Sequence, residues 1–142
     1  MTEVKQIPLT PDLSSISELE QSLEEFAGAH ELDMGLQNRL NLMLEELITN
    51  SVNYSLQTVS GPELELCLSL EDTFVVARLE DNGPAFDPFS DAPEADTTSS
   101  LADRPIGGLG IFLTKKFATE YAYERVGDRN RVTLRCQIGK TP

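Results

Sequence analysis

Between residues 36 and 54 the apolar positions Leu36, Leu40, Met43, Leu44, Leu47 and Ile48 fall at i, i+4, i+7, i+8, i+11 and i+12. That spacing predicts one broad buried face of a helix. Glu46 and Asn50 lie one turn apart on the flank of this face, with Asn53 near them, while Glu45 and Thr49 point towards water. Asp33 is a candidate N-cap, and the helix is expected to end before Gly61-Pro62. Ahead of it, Ile16, Leu19, Leu23, Phe26 and Ala27 predict a first helix running to about His30, capped by Asp12, Ser14 or Ser15. Glu3 to Leu9 reads as a short edge strand, ended by Pro8 and Pro11.

After residue 62 the period changes from 3.6 to 2. Leu64, Leu66, Leu68 and Leu70 alternate with Glu63, Glu65, Cys67 and Ser69, which predicts a half-buried strand over 63–70. A tight turn at Glu71-Asp72 leads into a second strand over 73–81, with Val75, Ala77 and Leu79 on one face. Asp81 is in phase with those three, so its carboxylate faces the core, where it is costly unless hydrogen-bonded. Residues 84–106, rich in Pro, Asp, Ser and Thr, carry no period and read as a long loop, functional or mobile. Ile111, Leu113, Phe117 and Ala118 predict a third helix after Gly107-Gly108-Leu109-Gly110. Residues 121–126 and 131–138 read as two final strands joined at Gly127-Asp128, with Val132, Leu134, Cys136 and Ile138 on the buried face. The order is that of an α+β, two-layer sandwich: helices packed on one face of a mostly antiparallel sheet.

Composition narrows the function classes. A chain of 142 residues is expected to form a single domain with its own core. The net charge of −13 argues against nucleic acid and against an anionic membrane surface as partners. No apolar run reaches the roughly 20 residues of a membrane span, and the first ten residues hold no apolar core like that of a signal peptide. Cys67 and Cys136 are far apart and each falls in a strand, as expected of reduced structural thiols in a cytoplasmic protein. The single histidine, His30, leaves little room for His-based catalysis or a His/Cys metal site.

Three features carry chemistry, and each has an ordinary reading beside the functional one. Glu46 and Asn50 can hold Mg²⁺, or a water bound to it, between them; alone they are the polar flank of an amphipathic helix. Gly107, Gly108 and Gly110 before a helix let the backbone approach an anion; alone they are a flexible loop, and no GK[ST] follows to make a Walker A motif. Asp81-Asn82-Gly83 is an inward carboxylate suited to an exocyclic amine such as adenine N6; alone it is a turn. In this order they describe a nucleotide pocket: a metal-binding helix, a base-reading carboxylate, a loop and a phosphate cradle.

The chain resembles the GHKL (Bergerat-fold) ATP-binding domains and, more narrowly, is similar to the anti-sigma-factor serine-protein kinases of bacteria. Glu46 to Asn50 with Asn53-Tyr54 resembles the N box, Asp81 to Pro88 the G1 box, and Arg104 to Leu113 the G2 box. The resemblance implies a single ATP-binding kinase domain over 1–142, with an ATP lid at about 87–106. It implies Glu46 as general base and Asn50 as a ligand of Mg²⁺. Asp81 would read adenine N6, with Gly83 allowing the base to approach. Gly107, Gly108 and Gly110 form the Gly run of the phosphate site, where Gly108 and Gly110 would offer their N–H groups. Arg104 is the candidate lid arginine. The implied partners are a STAS-type anti-sigma-factor antagonist, phosphorylated on serine, and a sigma factor sequestered by a homodimer.

Tyr54 stands where many of these kinases have His. The residue supporting adenine beside Asp81 stays open between Asn130, nearest by position, and Thr133, nearest by type. Lys115 and Lys116 read as a solvated helix face. A non-catalytic ATP-gated binding module would use the same pocket. A detached ATPase or histidine-kinase domain is disfavoured, because no dimerisation segment with a phosphoacceptor His precedes the N box.

Overall fold

A computed structural model describes residues 4–91 and 109–139. Arg104, Gly107 and Gly108, and the 92–106 part of the expected lid, lie outside the described residues. The elements run β1 (Val4–Leu9), α1 (Ser15–Ala29), α2 (Met34–Asn50), β2 (Leu64–Glu71), β3 (Phe74–Asp81), α3 (Leu109–Phe117), β4 (Glu120–Val126) and β5 (Arg129–Gln137). The five strands form one antiparallel sheet in the order β1-β2-β3-β5-β4. The helices supply the second layer, so the expected α+β sandwich is the observed one.

The core is where two periods meet. Every predicted stripe position of α2 is buried, from Leu36 to Ile48, together with Leu19, Leu23 and Phe26 of α1. These side chains pack on the alternate residues Leu64, Leu66 and Leu68 of β2, Val75, Ala77 and Leu79 of β3, and Val132 and Leu134 of β5. Cross-strand register aligns them in rows, Leu66 opposite Leu79 opposite Val132, and Leu68 opposite Ala77 opposite Leu134. The opposite sheet face is laced with ion pairs such as Arg135 with Glu71 and Glu120, and the Arg135 guanidinium lies 4.6 Å from the Phe74 ring centroid. Among the described residues no helix is long and apolar enough to cross a membrane.

Local signals set most boundaries. The Asp33 side chain accepts the Leu36 N–H at 2.7 Å, capping α2. Asp33→Ala is expected to cost about 1 kcal/mol and to lower the melting temperature by about 4 °C, measured by thermal unfolding. Ser14 is the N-cap of α1 by position, but no side chain caps it; Asp12 instead accepts the Ser14 N–H and hydroxyl and braces the turn. His30 ends α1, its ring against Phe26. The turn between β2 and β3 has Asp72 at φ +55°, a left-handed position that aspartate tolerates. Cys67 and Cys136 are buried free thiols, and burial pushes the Cys136 thiol up to about 11.

One boundary departs from the sequence expectation. The second helix does not continue as an α-helix towards Gly61; it ends at Asn50 and passes into a π-helical turn over Ser51–Ser55, closed by the Leu56 N–H donating to the Ser51 carbonyl at 2.8 Å. The wider turn shifts the helical phase and leaves Asn53 and Tyr54 exposed. Tertiary hydrogen bonds to Ser51 and Ser55 hold it, and these belong to the site.

Candidate nucleotide site

Asp81 ends β3 on the core face, 4% exposed, as its phase predicts. Its carboxylate accepts four hydrogen bonds. Ser51 Oγ and Ser55 Oγ donate to Oδ2 at 2.8 and 2.9 Å. The Gly83 N–H and Asn130 Nδ2 donate to Oδ1, both at 2.9 Å. The cost of burying the carboxylate is thus met by donors from three directions: the π turn, the loop after β3, and β5. A π-helical turn at such a place is typical of functional sites, and here its geometry aims two hydroxyls, one turn apart, at one oxygen.

Asn130 is the second centre of the site. It sits opposite Asp81 in the β3–β5 register and is 3% exposed. Its Nδ2 also donates to the Pro84 carbonyl at 2.8 Å, while its Oδ1 accepts from Tyr123 Oη at 2.6 Å and from the Phe86 N–H at 3.0 Å. Arg125 donates to the Gly83 carbonyl at 2.6 Å. Thr133, one of the two residues left open, is opposite Arg78 and Ala122, out of phase with Val132 and Leu134, so it belongs to the other sheet face.

Gly83 has a packing reason to be glycine. A Cβ there would fall 2.1 Å from the Ser55 carbonyl oxygen and 2.6 Å from its carbon. Backbone cannot yield as a side-chain tip can. Gly83→Ala is therefore expected to cost about 3 kcal/mol, read as a lower denaturation midpoint in urea.

Leu47, Asn50, Ser51, Leu79, Asp81, Phe86, Pro88, Asn130 and Val132 line a cavity of about 10 Å³ beside the carboxylate, room for about one water. Its mouth is narrowed by the G1-box residues: Phe86 stacks on Tyr54 with centroids 5.2 Å apart and planes 16° apart. At this volume the slot is too small for a ring system, so any ligand larger than water requires its lining to move outward. Phe89 in turn packs on Tyr121 at 4.7 Å, and Lys115 Nζ donates to the Phe89 carbonyl at 3.0 Å, tying the root of the loop to β4 and α3.

Glu46 and Asn50 stand one turn apart on α2, as read from the sequence. Glu46 is half-buried against α3. Burial pushes its carboxyl above the ordinary 4.5, the Gly110 N–H hydrogen bond pulls the other way, and Glu45 adds to the rise. A Cβ on Gly110 would lie 2.4 Å from both Cβ and Cγ of Glu46, so this glycine permits α2 and α3 to touch. Thr114, fully buried, braces the same turn by donating to the Gly110 carbonyl at 2.8 Å. Glu45 and Thr49, expected in water, are half-buried and line a cavity of about 250 Å³ with Glu46, Leu42, Gly110 and Leu113.

Asn50 is 4% exposed, and its Nδ2 is buried with no hydrogen-bond partner among the described residues. An orphaned amide suits a phosphate–magnesium group: its nitrogen can donate to a phosphate oxygen, and after rotation its oxygen can ligate Mg²⁺. Among the described residues no three His, Cys, Asp or Glu side chains cluster as a metal cage, so Mg²⁺ here would rely on phosphate oxygens and water for its other ligands.

The sequence alone did not single out Ser51 and Ser55 and left Asn130 open against Thr133, although a signal for each exists. Ser51 and Ser55 continue the α2 stripe at i+4 steps from Leu47, and Asn130 continues the alternation of Cys136, Leu134 and Val132 backwards.

A buried acceptor at the end of a sheet strand, a carboxylate–amide pair on the packed helix and a slot between them define a nucleotide-binding α+β domain. The chain belongs to the histidine kinase-like ATPase domain family, whose model matches residues 9–136. ATP binding follows from that membership. No curated protein matches the sequence. The fold is similar to a solved structure of the RsbU and RsbW domains of a Mycobacterium tuberculosis protein, with TM-score 0.68 and 15% identity over 96% of this chain. This chain spans 32% of that longer one. It is also similar to the Acinetobacter baumannii histidine kinase AdeS, with TM-score 0.52 and 17% identity, covering 97% of this chain and 70% of that one.

Proposed function

We propose that this chain is an ATP-dependent serine-protein kinase of a bacterial, cytoplasmic partner-switching system, which phosphorylates a STAS-type anti-sigma-factor antagonist and, as a homodimer, sequesters a sigma factor. The domain is read as one ATP-binding unit over 1–142 with its lid at about 87–106. The observation that carries the reading is Glu46. A half-buried carboxyl with a raised pKa, one turn from the orphaned amide of Asn50, is what a general base for a substrate hydroxyl requires. It favours a working kinase over an inert nucleotide binder.

In this reading Asp81 receives the adenine amine and the slot beside it holds the base once Phe86 has moved. Asn50 would hold Mg²⁺ with the phosphates, and the ion, when bound, neutralises charge on them. Gly108, Gly110 and Arg104 would face the phosphates. Glu46 would take the proton of the serine hydroxyl as its oxygen bonds to the γ-phosphorus, the bond from that phosphorus to the bridging oxygen breaks, and ADP leaves. Positioning and charge stabilisation supply the rest.

Two measurements test this. Calorimetry with Mg-ATP is expected to show binding; no heat up to millimolar ATP overturns the pocket. Incubation with γ-labelled ATP and a candidate STAS-type antagonist is expected to label a serine. Binding without any transfer would leave the ATP-gated, non-catalytic module as the function.

A further inference from the structure

The Asp81 carboxylate has no acceptor position to spare. A carboxylate offers about four, and Ser51, Ser55, Gly83 and Asn130 fill them. An incoming exocyclic amine must displace one of these donors. Gly83 is a backbone donor whose residue is pressed against the Ser55 carbonyl. Asn130 is buried and anchored at its other atom by Tyr123 and Phe86. Ser55 is buried and does not line the slot. Ser51 does line it, beside Asp81.

Ser51 also has somewhere to go. A hydroxyl on a helix can turn back to the carbonyl four residues earlier, which for Ser51 is that of Leu47. Among the described residues Thr49 does so to Glu45 and Thr114 to Gly110.

Resting on the nucleotide reading above, we propose that Ser51 is a specificity-determining residue of this site. Its hydroxyl occupies the place on Asp81 Oδ2 that the 6-amino group of adenine takes, and it leaves when the base enters, while Ser55 stays and holds the carboxylate in position. Ser51 is thus a competitor for the base. A 6-oxo purine has no donor at position 6 to replace it and sets its oxygen against the carboxylate, so the exchange favours adenine.

The test is calorimetric titration of wild type, Ser51→Ala, Ser51→Cys and Ser55→Ala with Mg-ATP and with the magnesium complex of purine riboside triphosphate, which lacks the 6-amino group. Ser51→Ala is expected to tighten Mg-ATP by about fivefold, the worth of one net hydrogen bond, and to leave the purine riboside nucleotide unchanged. Ser51→Cys, a weaker donor of similar size, shifts in the same direction by less. Ser55→Ala is expected to weaken Mg-ATP by about fivefold. If both alanine variants weaken Mg-ATP, or if Ser51→Ala moves both nucleotides alike, the competition is overturned and Ser51 only braces the turn. Wild type that binds neither nucleotide brings down the nucleotide reading itself, a different result.

Discussion

Asp81→Asn is expected to abolish measurable Mg-ATP binding while leaving the protein folded. The two effects separate because of where the new amide lands. If its oxygen takes the Oδ1 place, it still accepts from the Gly83 N–H and Asn130 Nδ2. Its nitrogen then faces Ser51 Oγ and Ser55 Oγ, and hydroxyls can rotate to accept instead of donate. The loss of stability should stay near 1 to 2 kcal/mol, roughly that of weakening charge-assisted hydrogen bonds. For adenine the exchange is far worse. Its amine would meet an NH₂ group, donor against donor. A loss of about a hundredfold or more is expected, measured by calorimetry beside a thermal melt of the same sample. Wild-type affinity in the variant would remove Asp81 from the site. Asp81→Ala, by contrast, strands all four donors and should destabilise strongly.

Glu46→Gln is expected to lower phosphate transfer by about 10² to 10⁴-fold with Mg-ATP affinity nearly unchanged, because the side chain keeps its shape and its acceptor for the Gly110 N–H. The same substitution should stabilise the protein at neutral pH. The Glu46 carboxyl is raised by burial above its ordinary 4.5, so the folded state disfavours its charged form. Its favourable contribution is full below 4.5 and is lost as pH rises through the folded value. Glutamine has no charge to bury. The melting temperature of Glu46→Gln should therefore exceed that of wild type at pH 7, and the gap should close as pH falls towards 4.5. Transfer by wild type should fall with acid at a pH above 4.5, where the base takes up its proton. A variant as active as wild type at pH 7 removes Glu46 as base.

Both substitutions act on a site whose polar groups, the Asn50 amide aside, satisfy one another. Gly110, expected to face phosphate, gives its N–H to Glu46, and Ser51 donates to the Asp81 oxygen proposed to receive the base. Ligand entry is then an exchange of hydrogen bonds with small net energy, and specificity rests on which ligand groups can replace the donors lost.

Most of the scaffold was legible before any coordinates. The α2 stripe, the switch to period 2 after Pro62 and the inward phase of Asp81 depend only on the geometry of helices and strands, which repeats every 3.6 or 2 residues whatever surrounds it. The pairing of Glu46 with Asn50 across one turn was legible for the same reason. Three box motifs in order were enough to suggest the family that the residue 9–136 match establishes.

Tertiary structure decided the rest, because it turns on contacts between residues far apart in the chain. Whether α2 runs on or opens into a π turn depends on a carboxylate 30 residues away from Ser51. The choice between Asn130 and Thr133 depends on β3–β5 register, since a step of one residue reverses the face. Gly83 and Gly110 look alike in sequence as flexible links, yet one makes room for the Ser55 carbonyl and the other for Glu46. Local periodicity determined which residues face the core; only the packing of distant strands and helices determined which of those meet to form the site.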